Sequence, residues 1–161
     1  MVKESARPEP QLRLVAFLLD AQRCGLPLPV VERVLPMAAV SPLPGAPDVA
    51  LGVINLHGRV LPVLDLRRRL GLVPRTYGTA AHLVLARTSR RSVILPVDEA
   101  LGVQEVAADA VTGREALLPG RGYVTGIVAL PDGLLFIHDL ETVLSLDEEE
   151  RLARALGDLG P

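Results

Sequence analysis

The chain states one nineteen-residue phrase twice, 74 positions apart, from Gly52 to Leu70 and from Gly126 to Leu144. Gly52/Gly126, Leu56/Leu130, Leu61/Leu135, Asp65/Asp139, Leu66/Leu140 and Leu70/Leu144 coincide. A repeat of this length is one supersecondary unit used twice, so the fold is restricted to two similar layers or small barrels. A fainter match at an offset of 67 lays residues 18–32 over 85–99 and pairs Leu28-Pro29-Val30 with Leu95-Pro96-Val97. The chain therefore reads as two halves with one plan, roughly 12–75 and 80–145.

At 161 residues such a chain suits one domain or two small, closely packed subdomains, burying roughly 70% of the surface its unfolded form exposes. Cys24 is the only cysteine, which excludes an intramolecular disulfide and fits a reducing compartment. The apolar runs are strand-sized and fall far short of the ~20 residues of a spanning helix. The N-terminus has no apolar export region. These features predict a soluble, cytoplasmic protein with no segment inserted in a membrane. Residues 1–11 are polar and proline-containing and read as disordered.

Alternating apolar patterns and turn residues predict the strands. Leu12–Leu19 and Cys24–Leu28 pair around Asp20 to Arg23, with Pro27 and Pro29 placing the second strand at an edge or cutting it short. Residues 30–35 read as a helical turn led by Pro29. Leu51–Leu56 and Arg59–Leu64 form a hairpin at His57-Gly58, residues 81–87 and 91–97 another, and 124–130 with 134–137 the repeat of the first. Weaker strands fall at 103–106 and around Leu117-Leu118. Asp65 and Asp139 each precede a leucine-spaced segment, so both read as helix caps, with Arg67, Arg68 and Arg69 on the solvent side. Ser145 and Glu148 make a capping box that opens a C-terminal helix over 146–161, with Leu152, Ala155, Leu156 and Leu159 as its apolar stripe. The sum is nine or ten short strands, a few helical turns and a terminal helix: a mainly β fold of two barrels.

Reaction chemistry is poorly represented. Asp65 and Asp139 are explained by capping, and His57, His82 and His138 lack metal-ligand spacing. Cys24 reads as apolar filler. No glycine-rich loop has phosphate-binding spacing. No catalytic, metal or cofactor site is predicted. Positions 57–91 hold eight arginines and one acid, whereas 132–161 hold eight acids and two arginines. This asymmetry allows a rival reading as a β-barrel nucleic-acid binder using Arg67 to Arg69 and Arg87 to Arg91, but four aromatic residues are too few for a stacking platform.

The run from Gly52 to Arg67 resembles the signature of the CheW-like coupling proteins of bacterial chemosensory arrays, G-V-x-N-L-R-G-x-x-x-P-x-x-D-L-R. It departs from that signature only at His57. Phe17-Leu18-Leu19, Gly25, Val97-Asp98, Val103, Gly126 and Asp139-Leu140 extend the resemblance over about 12–145. It implies two pseudo-symmetric five-stranded SH3-like barrels packed together, with short helical turns and a C-terminal helix. It also implies a non-enzymatic adaptor between the cytoplasmic tip of a methyl-accepting chemoreceptor and the regulatory domain of a CheA-type histidine kinase. Such a protein is held at membrane receptor arrays through its partners. By position the receptor-facing groove would include Val31, Arg33, Val34, Gly52, His57 and Val103, while the kinase would meet a barrel end. Arg33 and His57 replace the family's usual glutamate and arginine, turning attraction into repulsion if His57 is charged. This leaves open both a divergent scaffold for a non-flagellar pathway and neutral drift.

Overall fold

The computed structural model describes residues 11–112 and 124–157. In chain order the elements are β1 (Gln11–Leu19), β2 (Gln22–Pro27), β3 (Val31–Pro36), β4 (Ala50–Leu56), β5 (Arg59–Leu64), α1 (Leu66–Leu70), β6 (His82–Arg87), β7 (Ser92–Val97), β8 (Glu99–Ala107), β9 (Val111–Thr112), β10 (Val124–Leu130), β11 (Gly133–His138) and α2 (Leu146–Gly157). The expected segments 1–10, Leu117-Leu118 and Leu159 lie outside the described residues, and Gln11 opens β1.

Turn chemistry sets the hairpins. Asp20 and Ala21 have φ of 52° and 66°, and His57 and Gly58 have 52° and 90°. These positive values at both central residues match the right-handed twist of the flanking strands. The Asn55 side chain accepts from Gly58 N at 2.8 Å and fixes the second turn. Residues 31–36 form a strand, where a helical turn over 30–35 was expected. The turn is a single 3-10 turn at Leu28–Val30, with Pro29 near its start. β8 runs for nine residues, longer than the expected 103–106, because a bulge next to Gly102, whose φ is 93°, shifts the register with β1 and lets the pairing continue to Glu99.

The strands assemble in two sheets, ordered β8-β1-β2-β11-β10-β9 and β3-β6-β7-β5-β4. Strand by strand the orders correspond: β1-β2 stands where β6-β7 stands, β11-β10 where β5-β4 stands, and β8 where β3 stands. The halves drawn at 12–75 and 80–145 do not coincide with the sheets. The first hairpin of each half pairs with the later strands of the other, so the repeat builds its two barrels by exchange. β2 is accordingly interior, joined to β11 in parallel, and is cut short at Pro27. One sheet has the expected five strands, and the other gains a sixth in the two-residue β9.

This layering makes three apolar clusters. Leu14, Ala16, Val128, Leu135 and Ile137 fill the six-stranded unit. Ile54, Leu61, Val63, Leu83, Leu85 and Ile94 fill the five-stranded one. The largest cluster lies between them: Phe17, Leu26, Leu64, Val84, Leu95 and Val97 pack from both sheets against Leu140, Leu152 and Ala155. Cys24 is wholly buried there, and burial pushes its thiol pKa up to about 12, so it is filler as the sequence indicated. α2 carries the expected reciprocal cap, with Glu148 N donating to Ser145 Oγ at 3.1 Å and Ser145 N to Glu148 at 2.9 Å.

His138 also belongs to this region, 3% exposed and stacked 6.5 Å from Phe17. Burial lowers its pKa from 6.5 to about 4. As pH falls through that window the unfolded chain takes up a proton that the native chain refuses, so stability falls with pH. By pH ~5 the loss is about 2 kcal/mol. Urea unfolding of the wild type at neutral pH and near pH 5 should show it, and a His138→Phe variant should lose most of that dependence. An equal pH dependence in the variant would remove His138 from the account.

Candidate functional site: exposed edge strands and an arginine pin

β3 and β8 are edge strands, each paired on one side only, and each carries an exposed valine. Val34 lies across from buried Val84 and is 39% exposed; Val103 lies across from buried Val15 and is 58% exposed. The two strands meet at His82, which pairs with Pro36 of β3 and accepts from Ala100 N of β8 at 3.2 Å through Nδ1. Val103 also borders a depression of about 290 Å³ with Leu101 and Leu130, rimmed by Arg23 and Asp132. An unpaired strand edge with exposed β-branched side chains is a surface for another protein chain.

The remaining predicted positions fall elsewhere. Val31 begins β3 and is half-buried against the central core. Gly52 is buried, and its backbone closes on Ser41 through Val53, with N–H···O distances of 2.9 and 2.8 Å, so it presents nothing to a partner. His57 is exposed in the β4–β5 turn. Glu32 stands 3.7 Å from Arg59, and both hold Ser92 Oγ, at 2.8 and 3.1 Å. An acid–base pair thus stands beside Arg33 and two residues after His57, in Glu32 and Arg59.

Asp65 caps α1 by accepting from Arg67 N at 3.0 Å, and Asp139 accepts from Glu141 N at 3.0 Å ahead of a short 3-10 turn. Arg67 corrects the sequence reading: its side chain is fully buried. It donates to Asp20 and Asp98 at 2.6 Å and lies 5.3 Å from the Tyr77 ring, while Tyr77 donates to Asp65 at 3.2 Å. Asp98 also accepts from Asp20 N at 2.7 Å, and its own amide donates to Leu18 O at 2.9 Å. One guanidinium thus pins α1, the β1–β2 turn and the β7–β8 junction, tying the sheets where the exchange occurs. Burial would raise the Asp98 pKa, but the Asp20 amide and Arg67 outweigh it and hold the carboxyl below its usual range.

The charge asymmetry has the same internal use. Arg69 pairs with Glu148, Arg91 with Glu149, and Ser89 donates through N and Oγ to Glu141 at 2.7 Å. Basic turns and acidic tail clamp α2 to the molecule, which takes Arg67, Arg69 and Arg91 away from the nucleic-acid reading. Among the described residues no group of three or more His, Cys, Asp or Glu could hold a metal, and no helix is long and apolar enough to cross a membrane.

Two interleaved β units with short helical turns and a sealing helix define a small double-barrel protein whose distinctive surfaces are strand edges. The family model described as CheW-like domain matches residues 13–148. A "Probable chemotaxis protein CheW" of Rhizobium etli is 30% identical over 140 residues, covering 85% of this chain and 90% of the relative. The chemotaxis protein CheW of Bacillus subtilis is 32% identical over 140 residues, covering 87% and 80%. The crystal structure of the scaffolding protein TtCheW from Thermoanaerobacter tengcongensis superposes with a TM-score of 0.78 at 22% identity, over 86% of this chain and 96% of that one. The chain belongs to the CheW-like family.

Proposed function

We propose that this chain is a non-enzymatic adaptor that joins the cytoplasmic tip of a methyl-accepting chemoreceptor to the regulatory domain of a CheA-type histidine kinase, and so sits in the cytoplasm at membrane receptor arrays. The observation that carries this is the pair of edge strands β3 and β8, with exposed Val34 and Val103, on a chain of the CheW-like family. The receptor's helical tip is met along these edges, through Val34 and Val103, and the kinase at a barrel end. Phosphotransfer belongs to the kinase.

The test is titration of a soluble receptor-tip fragment into the wild type and the Val34→Asp and Val103→Asp variants. Both side chains are substantially exposed, so folding is preserved while a charge enters an apolar contact. Each variant is expected to bind at least about tenfold more weakly. Binding by both variants at wild-type strength would dispose of these edges as the receptor surface.

A further inference from the structure

The two edge strands of the proposed receptor surface belong to different sheets, yet their exposed valines face the same gap. On β6, Leu83 and Leu85 fill the five-stranded unit, while His82 and Val84 lie on the opposite face, where Val84 joins the central cluster. Val34 and Pro36 of β3 pair with Val84 and His82 and so share that face. On β1, Leu14 and Ala16 fill the six-stranded unit, so Val15 is turned out of it on the side of Phe17, which packs in the central cluster, and its partner Val103 goes with it. His82 is half-buried between these two walls. Its Nδ1 accepts from Ala100 N, so the proton of the ring is on Nε2.

Ala100 is held at the weak point of β8. Ala16 pairs with Gly102 and Phe17 with Ala100, so Leu101 is an extra residue with no partner in β1, and it is 42% exposed. A strand that bulges at a sheet edge has no neighbour on its outer side to keep its register. Because side chains alternate, a slip of one residue would bring Gly102 or Gln104 to the position of Val103 and turn the valine away. Two contacts oppose that slip ahead of the bulge: Arg67 holds Asp98, and His82 holds Ala100, the residue directly before Leu101. The second comes from β6, the strand that pairs with β3, so it also ties the two walls to each other.

We propose that His82 is a positioning residue for receptor binding: by taking the Ala100 amide it holds β8 in register and at a set distance from β3, so that Val34 and Val103 meet one helical tip together; this rests on the adaptor reading. Walls fixed beforehand need no ordering when the helix arrives, and so a hydrogen bond outside the contact itself acts on affinity. The role needs an acceptor bonded to Cγ. Asparagine offers one, because its amide oxygen is attached to Cγ as Nδ1 is. Glutamine places its amide one bond farther out, near the position of Nε2, and leucine has no acceptor.

The experiment titrates a soluble receptor-tip fragment, and separately the kinase regulatory domain, into the full-length wild type and the His82→Leu, His82→Asn and His82→Gln variants. His82→Leu and His82→Gln should bind the receptor tip about three- to tenfold more weakly, the worth of one hydrogen bond, and His82→Asn within about twofold of the wild type. Kinase-domain binding should be the same in all four. Wild-type receptor affinity in His82→Leu would overturn this inference and leave the adaptor reading standing. Rescue by glutamine and not by asparagine would overturn it too, by making the ring tip a direct receptor contact. So would an equal loss in all three variants, or an equal loss for both partners, which would mean a general disturbance of the fold. If His82→Leu does not fold, the comparison of His82→Asn with His82→Gln decides alone. A wild type that does not bind the receptor tip at all would overturn both readings.

Discussion

Replacing Arg67 with methionine is expected to destabilise the protein by about 3 kcal/mol, because a buried pair broken from one side leaves Asp20 and Asp98 with only the exposed Arg75 as a counter-charge. Asp20 and Asp98 are about three-quarters covered, and Asp98 also accepts from the Asp20 amide, so they cannot simply turn to water. Arg67→Lys should rescue little, since one ammonium cannot reproduce a fork that reaches two carboxylates. Adding Asp20→Asn and Asp98→Asn to Arg67→Met should restore part of the loss, because the uncompensated charges are then removed. The native Asp98 pKa lies below its unfolded value, so its share of stability is present above pH ~4 and is lost as pH falls through the native pKa. Urea unfolding at neutral pH measures the first effect. A loss under about 1 kcal/mol for Arg67→Met would mean that the pin is ornamental to stability.

Gly52→Ala is expected to lose about 4 kcal/mol or more, whereas Gly126→Ala, at the same place in the repeat, should lose about 1–3 kcal/mol. At Gly52 φ is 152°, a conformation that side chains rarely adopt. A Cβ there would also fall inside contact distance of the Ser41 carbonyl oxygen and 2.9 Å from its carbon. That backbone is fixed by its bridge to Val53 and cannot retreat. At Gly126 the nearest obstacle is Val111 Cγ1 at 2.5 Å, a methyl on the two-residue edge strand β9, which can shift. Thermal or urea unfolding of the two variants side by side checks this. Equal losses would show that the repeat's two glycines serve one purpose.

Local features of the fold were legible because local chemistry carries them. His57-Gly58 and Pro131-Asp132 turn strands back on themselves, Asp65 and Asp139 cap the short helical turns after them, and Ser145 and Glu148 form their box as spaced. The exchange of hairpins was not legible, because a hairpin's inner pairing is written in its turn while its outer partner is a long-range choice. Arg67 escaped for a related reason: in a run of three arginines nothing local says which one meets Asp20, 47 positions earlier, and Asp98, 31 later. Of the positions expected in the groove, Val34 and Val103 are exposed on edge strands, while Gly52 is turned inward because its backbone packs on Ser41. A bulge between Val31 and Arg33 decides which way Glu32 points, and no local pattern in the sequence announces it.

The most direct test is whether one molecule holds two partners at once. A receptor-tip fragment, the full-length chain and the kinase regulatory domain are mixed and sized by analytical ultracentrifugation. A ternary complex, reduced to chain plus kinase domain by Val103→Asp, is the predicted result. Mutually exclusive binding, in which the receptor fragment displaces the kinase domain, would contradict an adaptor with separate docking surfaces.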